Sequence, residues 1–225
     1  MSIKIEEEKF PALENGSEKE ILKGVIASAK IIAHKIDVSK TLSIPGSANI
    51  ISILFLCSGA AKFLCEDVEY EYSTQAVFVG TPSANTTITA ISDCTIIEIL
   101  LPMTQNLDKT KFPYSAKYLD SEQYRDASKS EKSVSRMVLP FGFIAGFDFG
   151  SVETTGIDRV EKHQHPKKDQ VFYSFSENDV DLLIDDEEYP LKGNTFIHIP
   201  LASNHGVKVN EGKKAHYLWF DFEIA

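Results

Sequence analysis

The sequence predicts an all-β protein built as two tandem barrels. Short segments that are apolar or alternate between apolar and polar residues, such as 50–56, 88–91, 171–175 and 196–199, recur along the chain. Gly, Pro, Asn and Ser separate them. Many short strands with closely spaced turn signals are typical of a β-sandwich or a β-barrel.

Similar parts occur in the same order in both halves of the chain. Segment 24–28 resembles 142–146, and segment 63–70 resembles 182–189, at offsets of 118 and 119 residues. In each half a short apolar stretch that ends in proline follows, and then a final apolar strand. A repeated order of parts indicates two copies of one structural unit, which here means two barrels of similar topology.

We expect the first barrel to span 1–102 and the second 131–225, with a connector at 103–130. This middle segment is rich in Lys, Ser, Asp and Tyr and has a proline at each of positions 102 and 113. Such a composition is typical of a surface connection, and a helical turn is expected near 121–127. Chain length agrees with this division, because 225 residues suffice for two domains of about 100 residues.

Charge and hydropathy exclude several functional classes. The formal net charge is −10, which argues against binding to nucleic acid and against docking on anionic lipid. The N-terminus lacks the basic and apolar regions of a signal peptide, and the most apolar run, 48–61, is too short to cross a bilayer. We therefore expect a cytoplasmic protein. Three cysteines, Cys57, Cys65 and Cys94, match neither a disulfide framework nor a zinc motif.

Candidate metal ligands cluster in the second half. His163 and His165 are two residues apart, so on a strand they point to the same side. Gln170 follows at the start of the next apolar strand, and His205 comes after Pro200. Neutral imidazoles suit transition metals, and an amide oxygen can complete the ligand set.

These residues resemble the paired signature of the cupin superfamily, G-x5-H-x-H-x3-4-E-x6-G followed by G-x5-P-x-G-x2-H-x3-N. Gly193 and Pro200 also match, whereas Gln170 stands at the usual Glu and Ala202 at a usual Gly. With the repeat, the resemblance covers about residues 24–224 and implies a bicupin, two double-stranded β-helix barrels related to the jelly roll. It implies one divalent ion (Zn, Fe, Mn, Ni or Co) held by His163, His165, Gln170 and His205.

The first barrel is expected to lack metal. At the same offset, the four ligand positions fall on or near Ile44, Gly46, Ile51, and Thr86 or its neighbour, which cannot form a metal site. This barrel is therefore expected to be structural, an interface or a lid.

The resemblance implies a metal-dependent protein that acts on a small polar substrate. Lewis-acid chemistry of the isomerase or lyase type, on a carboxylate or a sugar-acid-like molecule, is the main hypothesis. An Fe-dependent dioxygenase and a non-catalytic small-molecule sensor are the alternatives, so whether the protein is an enzyme stays open. His198, Tyr173 and Asp221 are candidate acid–base groups, and Tyr173 and Trp219 are candidate pocket walls. A homodimer is also possible on the family pattern.

The neutral amide of Gln170 has an electrostatic consequence. Three imidazoles and an amide leave the +2 charge of the ion uncompensated, which favours an anionic ligand. We therefore expect Gln170→Glu to tighten metal binding and to weaken anion binding. In the alternative, Gln170 only donates a hydrogen bond to a water on the metal. The alternating Phe141, Phe143, Phe147 and Phe149 are expected in the barrel core.

Overall fold

The computed structural model describes residues 5–103 and 108–224, and it is built from antiparallel strands. The first strands are β1 (Glu7–Lys9), β2 (Glu18–Ile21), β3 (Lys30–Ile36), β4 (Thr41–Ile44), β5 (Ile50–Ser58), β6 (Ala61–Cys65), β7 (Val68–Tyr72), β8 (Ala76–Val79), β9 (Thr86–Ala90), β10 (Cys94–Pro102) and β11 (Tyr114–Lys117). The remaining strands are β12 (Glu122–Tyr124), β13 (Val134–Met137), β14 (Phe147–Thr155), β15 (Asp158–His163), β16 (Lys168–Ser174), β17 (Asp179–Ile184), β18 (Glu187–Lys192), β19 (Thr195–Ile199), β20 (His205–Val209) and β21 (Lys214–Glu223). Two short 3₁₀ turns, Lys109–Lys111 and Tyr118–Asp120, follow β10 and β11.

The chain divides into two compact units. The N-terminal barrel is Pro11–Ser121, and the C-terminal barrel contains the described residues before Pro11 and from Glu122 onward. Each barrel has a larger sheet and a four-stranded sheet. The all-β, two-barrel fold class predicted from the sequence is confirmed.

The N-terminal barrel encloses its core between its two sheets. The larger sheet has the order β11-β8-β5-β10-β3-β2, and the smaller has the order β4-β9-β6-β7. Apolar side chains from both sheets, among them Leu54, Ile96, Phe63 and Ile88, form one buried cluster. Their alternation with outward residues is the period-two pattern that a strand requires.

The C-terminal barrel repeats this topology. Its larger sheet has the order β1-β19-β16-β21-β14-β13-β12, and its smaller sheet has the order β15-β20-β17-β18. The strands β19-β16-β21-β14 thus follow the same order as β8-β5-β10-β3, and the four-stranded sheets also correspond. Phe172 and Tyr217 from the larger sheet and Leu182 and Val207 from the smaller belong to one buried cluster.

The unit boundaries differ from the predicted 1–102, 103–130 and 131–225. Strand β1 pairs with β19, so the N-terminal segment belongs to the C-terminal barrel. The predicted connector supplies β11 to one barrel and β12 to the other. The helical turn expected near 121–127 is found slightly earlier, as the 3₁₀ turn Tyr118–Asp120, and Glu122–Tyr124 form a strand. Strands β1 and β12 are short, polar edge strands, which lack the apolar alternation that identifies a strand in a sequence.

Within residues 5–103 and 108–224, no helix has the length and apolar character needed to cross a membrane.

Candidate metal centre

The three predicted histidine ligands meet at one end of the C-terminal barrel. His163 ends β15 and His205 begins β20, and the two residues are direct partners across this antiparallel strand pair. His165 lies just beyond β15. The ring centroids are 4.6 Å apart for His163 and His205, 5.0 Å for His163 and His165, and 5.5 Å for His165 and His205. One potential ligand atom from each ring lies within 4.8 Å of the other two.

Backbone carbonyls orient two of these rings. Nδ1 of His163 lies 2.8 Å from the carbonyl oxygen of Glu161, and Nδ1 of His205 lies 3.2 Å from that of Ser203. A carbonyl oxygen only accepts a hydrogen bond, so each Nδ1 carries the proton and donates it. In the neutral form of each ring, Nε2 is then the unprotonated nitrogen, which is the one that binds a metal ion.

Burial favours the neutral imidazole at His205 and His165. It lowers the pKa of His205 to about 4, and the neighbouring His163 and His165 lower it further. Burial also lowers the pKa of His165. Neutral rings at neutral pH suit a cation, because protons do not compete for the ring nitrogens.

Gln170 is buried in the same cavity, and its amide is held in a defined orientation. It lies on β16 beside Asp221 of β21, and its Nε2 donates a 2.5 Å hydrogen bond to Oδ1 of Asp221. The amide oxygen therefore points away from Asp221. Among the described residues, neither Oε1 of Gln170 nor Nε2 of His205 has a hydrogen-bond partner, although both atoms are buried.

Such orphaned acceptors are rare in folded proteins, because leaving one unpaired costs about 1–3 kcal/mol. Three imidazole nitrogens and an amide oxygen are suitable ligands for a divalent transition metal. The chemistry of the donor set and the two unpaired acceptors both fit such an ion.

A charged network lies directly behind Gln170. Nζ of Lys168 is 2.7 Å from Oδ2 of Asp148 and 3.3 Å from Oδ2 of Asp221. Burial raises the pKa of Asp221, while the hydrogen bond from Gln170 and the charge of Lys168 oppose this shift. Two carboxylates and one ammonium group make the network anionic. The expectation that the +2 charge of the ion is uncompensated considered only the four ligands. It did not include the carboxylate of Asp221, which contacts Gln170.

The histidines and Gln170 line a cavity of about 400 Å³. Trp219 and Asp221 also line it, as the sequence suggested, but His198 and Tyr173 do not. Side chains of a strand alternate between its two faces, and Tyr173 lies an odd number of positions from Gln170. Its ring packs against Phe10 and Phe196 instead.

His198 also lies on the face of the larger sheet opposite the cavity. Its neighbours Ile197 and Ile199 belong to the barrel core, and its own Nε2 is 2.8 Å from Oδ1 of Asp169. The structure therefore places neither His198 nor Tyr173, the two acid–base candidates, at the cavity.

Sequence reasoning did not assign the other lining residues to the cavity, and three of them show why. Lys168 is two positions before Gln170, so strand alternation could have placed both side chains on one face. Asp148 belongs to a different strand, and only the pairing of β14 with β21 brings it near Asp221. Phe141, expected in the core, is 80% exposed at the cavity and lies in the turn before β14. Of the other three phenylalanines in that run, Phe147 and Phe149 are buried as expected.

Comparison of the sequence with protein-family models and with curated proteins finds no match. Solved structures match over the whole chain. A cupin 2 conserved barrel domain protein from Leptotrichia buccalis has a TM-score of 0.69 and 13% identity, with 98% of each chain covered. An oxalate decarboxylase from Lactobacillus farciminis, in complex with formate, has a TM-score of 0.76 and 10% identity, covering 99% of this chain and 87% of the other.

The oxalate decarboxylase of Bacillus subtilis, a protein with Mn(II) centres, has a TM-score of 0.73 and 10% identity, covering 96% of this chain and 76% of the other. Identities this low show the fold alone. The chain has the cupin-barrel fold.

Proposed function

We propose that the C-terminal barrel binds one divalent metal ion through His163, His165, Gln170 and His205, and that the ion binds a small carboxylate ligand as a Lewis acid. The observation that supports this most strongly is the pair of buried, unpaired acceptors on Gln170 and His205, next to two further imidazoles. A bound cation would satisfy both acceptors at once.

The donor set limits the metal without selecting one. Imidazole nitrogen and amide oxygen suit Zn, Fe, Mn, Ni and Co. The Bacillus subtilis structural neighbour contains Mn(II), and the Lactobacillus farciminis neighbour is in complex with formate, a carboxylate. The first supports a metal ion for this chain, and the second supports a carboxylate ligand. When bound, the ion would polarise a carboxylate or carbonyl oxygen and stabilise negative charge on it.

The protein's own groups would position the ligand and the metal. Asp221 lines the cavity, but one of its oxygens accepts a hydrogen bond from Gln170 and the other lies against Lys168. With both oxygens engaged, Asp221 orients the amide of Gln170 rather than moving protons. Lys168 supplies a cationic donor near the same point, held between Asp148 and Asp221.

Isomerase or lyase chemistry remains our main hypothesis for the reaction. A non-catalytic binding protein is the second candidate, and the engagement of both Asp221 oxygens favours it, because that carboxylate is not available as a base. Turnover of carbonyl-containing acids separates the two candidates.

Metal titration tests the proposal. The chelator-treated protein would be titrated with Mn²⁺, Co²⁺, Ni²⁺ and Zn²⁺, and with Fe²⁺ without oxygen, by calorimetry. We expect one site per chain, and formate or oxalate should bind only to the metal-loaded form. A variant with His163, His165 and His205 all replaced by alanine should bind neither. Absence of metal binding in the wild type, or equal binding by this variant, would contradict the proposal.

A further inference from the structure

We propose that the natural ligand of the C-terminal cavity is a carboxylate attached to a flat apolar ring, with the carboxylate at the histidines and the ring along an aromatic wall that leads to Phe141. This inference rests on the proposed function, because the metal ion would hold the carboxylate.

The cavity is large for a small carboxylate alone. About 400 Å³ lies within the range of pockets that enclose drug-sized ligands. Formate or oxalate would leave most of this space to water, so the ligand needs a larger body beyond the group that reaches the metal.

Aromatic side chains form the cavity wall beside the metal ligands. The ring of Phe172 lies 6.0 Å from that of His205, and it stacks on Tyr217 with a centroid distance of 4.8 Å. Next along β21, the indole of Trp219 lies over Gly150, where a Cβ atom would come within 2.2 Å of it. Only glycine at position 150 lets the indole lie this close to the sheet. Trp219 is also the direct strand partner of Phe172, so these side chains lie side by side along one aromatic wall that starts at His205.

Phe141 is an exposed side chain at the rim of the cavity. It lies in a tight turn closed by a 2.9 Å hydrogen bond from the amide of Phe143 to the carbonyl of Pro140. Gly142 has a φ of +67°, a conformation that glycine adopts without strain. The turn presents an exposed phenyl ring to the cavity, and stacking with a bound ring would remove its apolar surface from water.

The charged side chains that line the cavity limit the charge of the ligand. Lys168 lies between Asp148 and Asp221, and Lys129 is 3.4 Å from Oδ2 of Asp126, so each cavity lysine already has a carboxylate partner. Glu122 adds another acidic group to the lining. A second negative charge on the outer part of a ligand would meet this acidic rim. The single negative charge therefore belongs at the metal and the outer part of the ligand is uncharged.

Carboxylates of equal charge and different bodies test this inference. Acetate, benzoate and D-glucuronate would be titrated by calorimetry into the metal-loaded wild type and into Phe141→Ala. We expect benzoate to bind at least about tenfold more tightly than acetate, and glucuronate to bind no more tightly than acetate. Phe141→Ala should weaken benzoate binding by about three- to tenfold and leave acetate binding unchanged.

Ile157→Ala is the matched control, since Ile157 is a 67% exposed apolar residue of the same barrel that does not line the cavity. It should change neither affinity. Equal binding of acetate and benzoate, tighter binding of glucuronate than benzoate, or an unchanged benzoate affinity in Phe141→Ala would overturn the inference. A wild type that binds no metal would instead overturn the proposed function, and the ring inference with it.

Discussion

The two barrels share one topology, but their corresponding ends differ. In the C-terminal barrel His163 is the direct strand partner of His205, whereas at the corresponding pair of the N-terminal barrel Ile44 is the partner of Thr86. The C-terminal cavity measures about 400 Å³, and the one lined by Ile44 and Thr86 about 30 Å³. The same backbone therefore supports an open site in one barrel and a closed end in the other.

Close backbone packing closes the N-terminal barrel. Gly46 lies two residues after Ile44, as His165 lies two residues after His163. A Cβ atom at Gly46 would come within 2.4 Å of the backbone carbonyl carbon of Ser83. The amide of Gly46 also donates to Oδ1 of Asn85. No imidazole fits at position 46 without moving one of these two loops.

Buried polar atoms distinguish the barrels in a second way. In the N-terminal barrel the hydroxyl of Ser52 donates to Oε1 of Glu98, whose Oε2 lies 2.8 Å from Nε2 of His34. In the C-terminal barrel the acceptors of Gln170 and His205 are unpaired within the described part of the chain. Polar groups that satisfy each other stabilise a core, whereas unpaired ones indicate a missing partner. Because the two barrels share one fold, the fold alone does not identify a metal site. The unpaired acceptors beside the histidine cluster do identify the candidate site.

Removing an imidazole should have the largest effect. His205→Ala is expected to lower metal affinity by at least about a hundredfold, because it removes one of the four proposed ligands and the ion is then held less tightly at Gln170. The thermal stabilisation that saturating metal gives the wild type, on the order of 2–4 kcal/mol, should also disappear. Calorimetric titration and thermal melts with and without metal measure both effects. A variant that still binds metal as tightly as the wild type would show that His205 is not a ligand.

Asp221→Asn should reduce metal affinity by about 10- to 100-fold, because a residue behind a metal ligand orients it and supplies charge. Asp169→Asn is the matched control: Asp169 is adjacent to Gln170 in sequence but pairs with His198 on the opposite face of the strand. Equal losses in the two variants would point to a general effect of acidic residues near the site and would contradict a specific role for Asp221.

Gly46→Ala should destabilise the folded protein by about 2 kcal/mol, because the added methyl group overlaps the backbone near Ser83. Ser43→Ala, at an exposed position of the same segment, should change stability little. Urea denaturation compares the two variants. If Gly46→Ala is as stable as the wild type, the loops are not packed closely enough to explain the closed end.

The smallest effect is expected for Gln170→Glu. The new carboxylate would lie against Asp221, so repulsion should offset most of the gain from a charged metal ligand. In the double variant with Asp221→Asn, the negative charge is moved from position 221 to position 170, which is next to the metal ion. Compared with Asp221→Asn alone, the double variant should bind metal a few-fold more tightly and acetate a few-fold less tightly. Unchanged acetate affinity would refute the charge argument that we drew from the sequence.

Much of the site was predictable because it depends on short-range spacing. His163 and His165 are two residues apart on the chain, a spacing short enough to bring both imidazoles to the end of β15, although His165 itself lies just beyond the strand. Gln170 and His205 came from the family motif. The alternation of side chains along β16 would have excluded Tyr173 from the cavity and placed Lys168 in it with Gln170. Strand pairing decides the rest: Asp148 reaches Lys168 only because β14 lies next to β21 and β21 next to β16.

Unit boundaries were less predictable for a physical reason. Strands β1 and β12 are formed from polar residues at sheet edges, where only backbone hydrogen bonds to a neighbouring strand are required. Their sequences contain no apolar periodicity that would distinguish them from loops. For Phe141 the apolar periodicity is present but misleading. Its spacing matches that of the core phenylalanines, whereas the turn at Gly142 directs its side chain outward.

The most direct test of the account is the metal stoichiometry of two matched variants. Wild type, His205→Ala and Thr86→Val would be incubated with Mn²⁺ or Zn²⁺, freed of excess ion, and examined by elemental analysis. Positions 205 and 86 correspond in the two barrels. We predict one ion per chain in the wild type and in Thr86→Val, and none in His205→Ala. Two ions in the wild type, or loss of the ion in Thr86→Val with retention in His205→Ala, would contradict the assignment of the site to the C-terminal barrel.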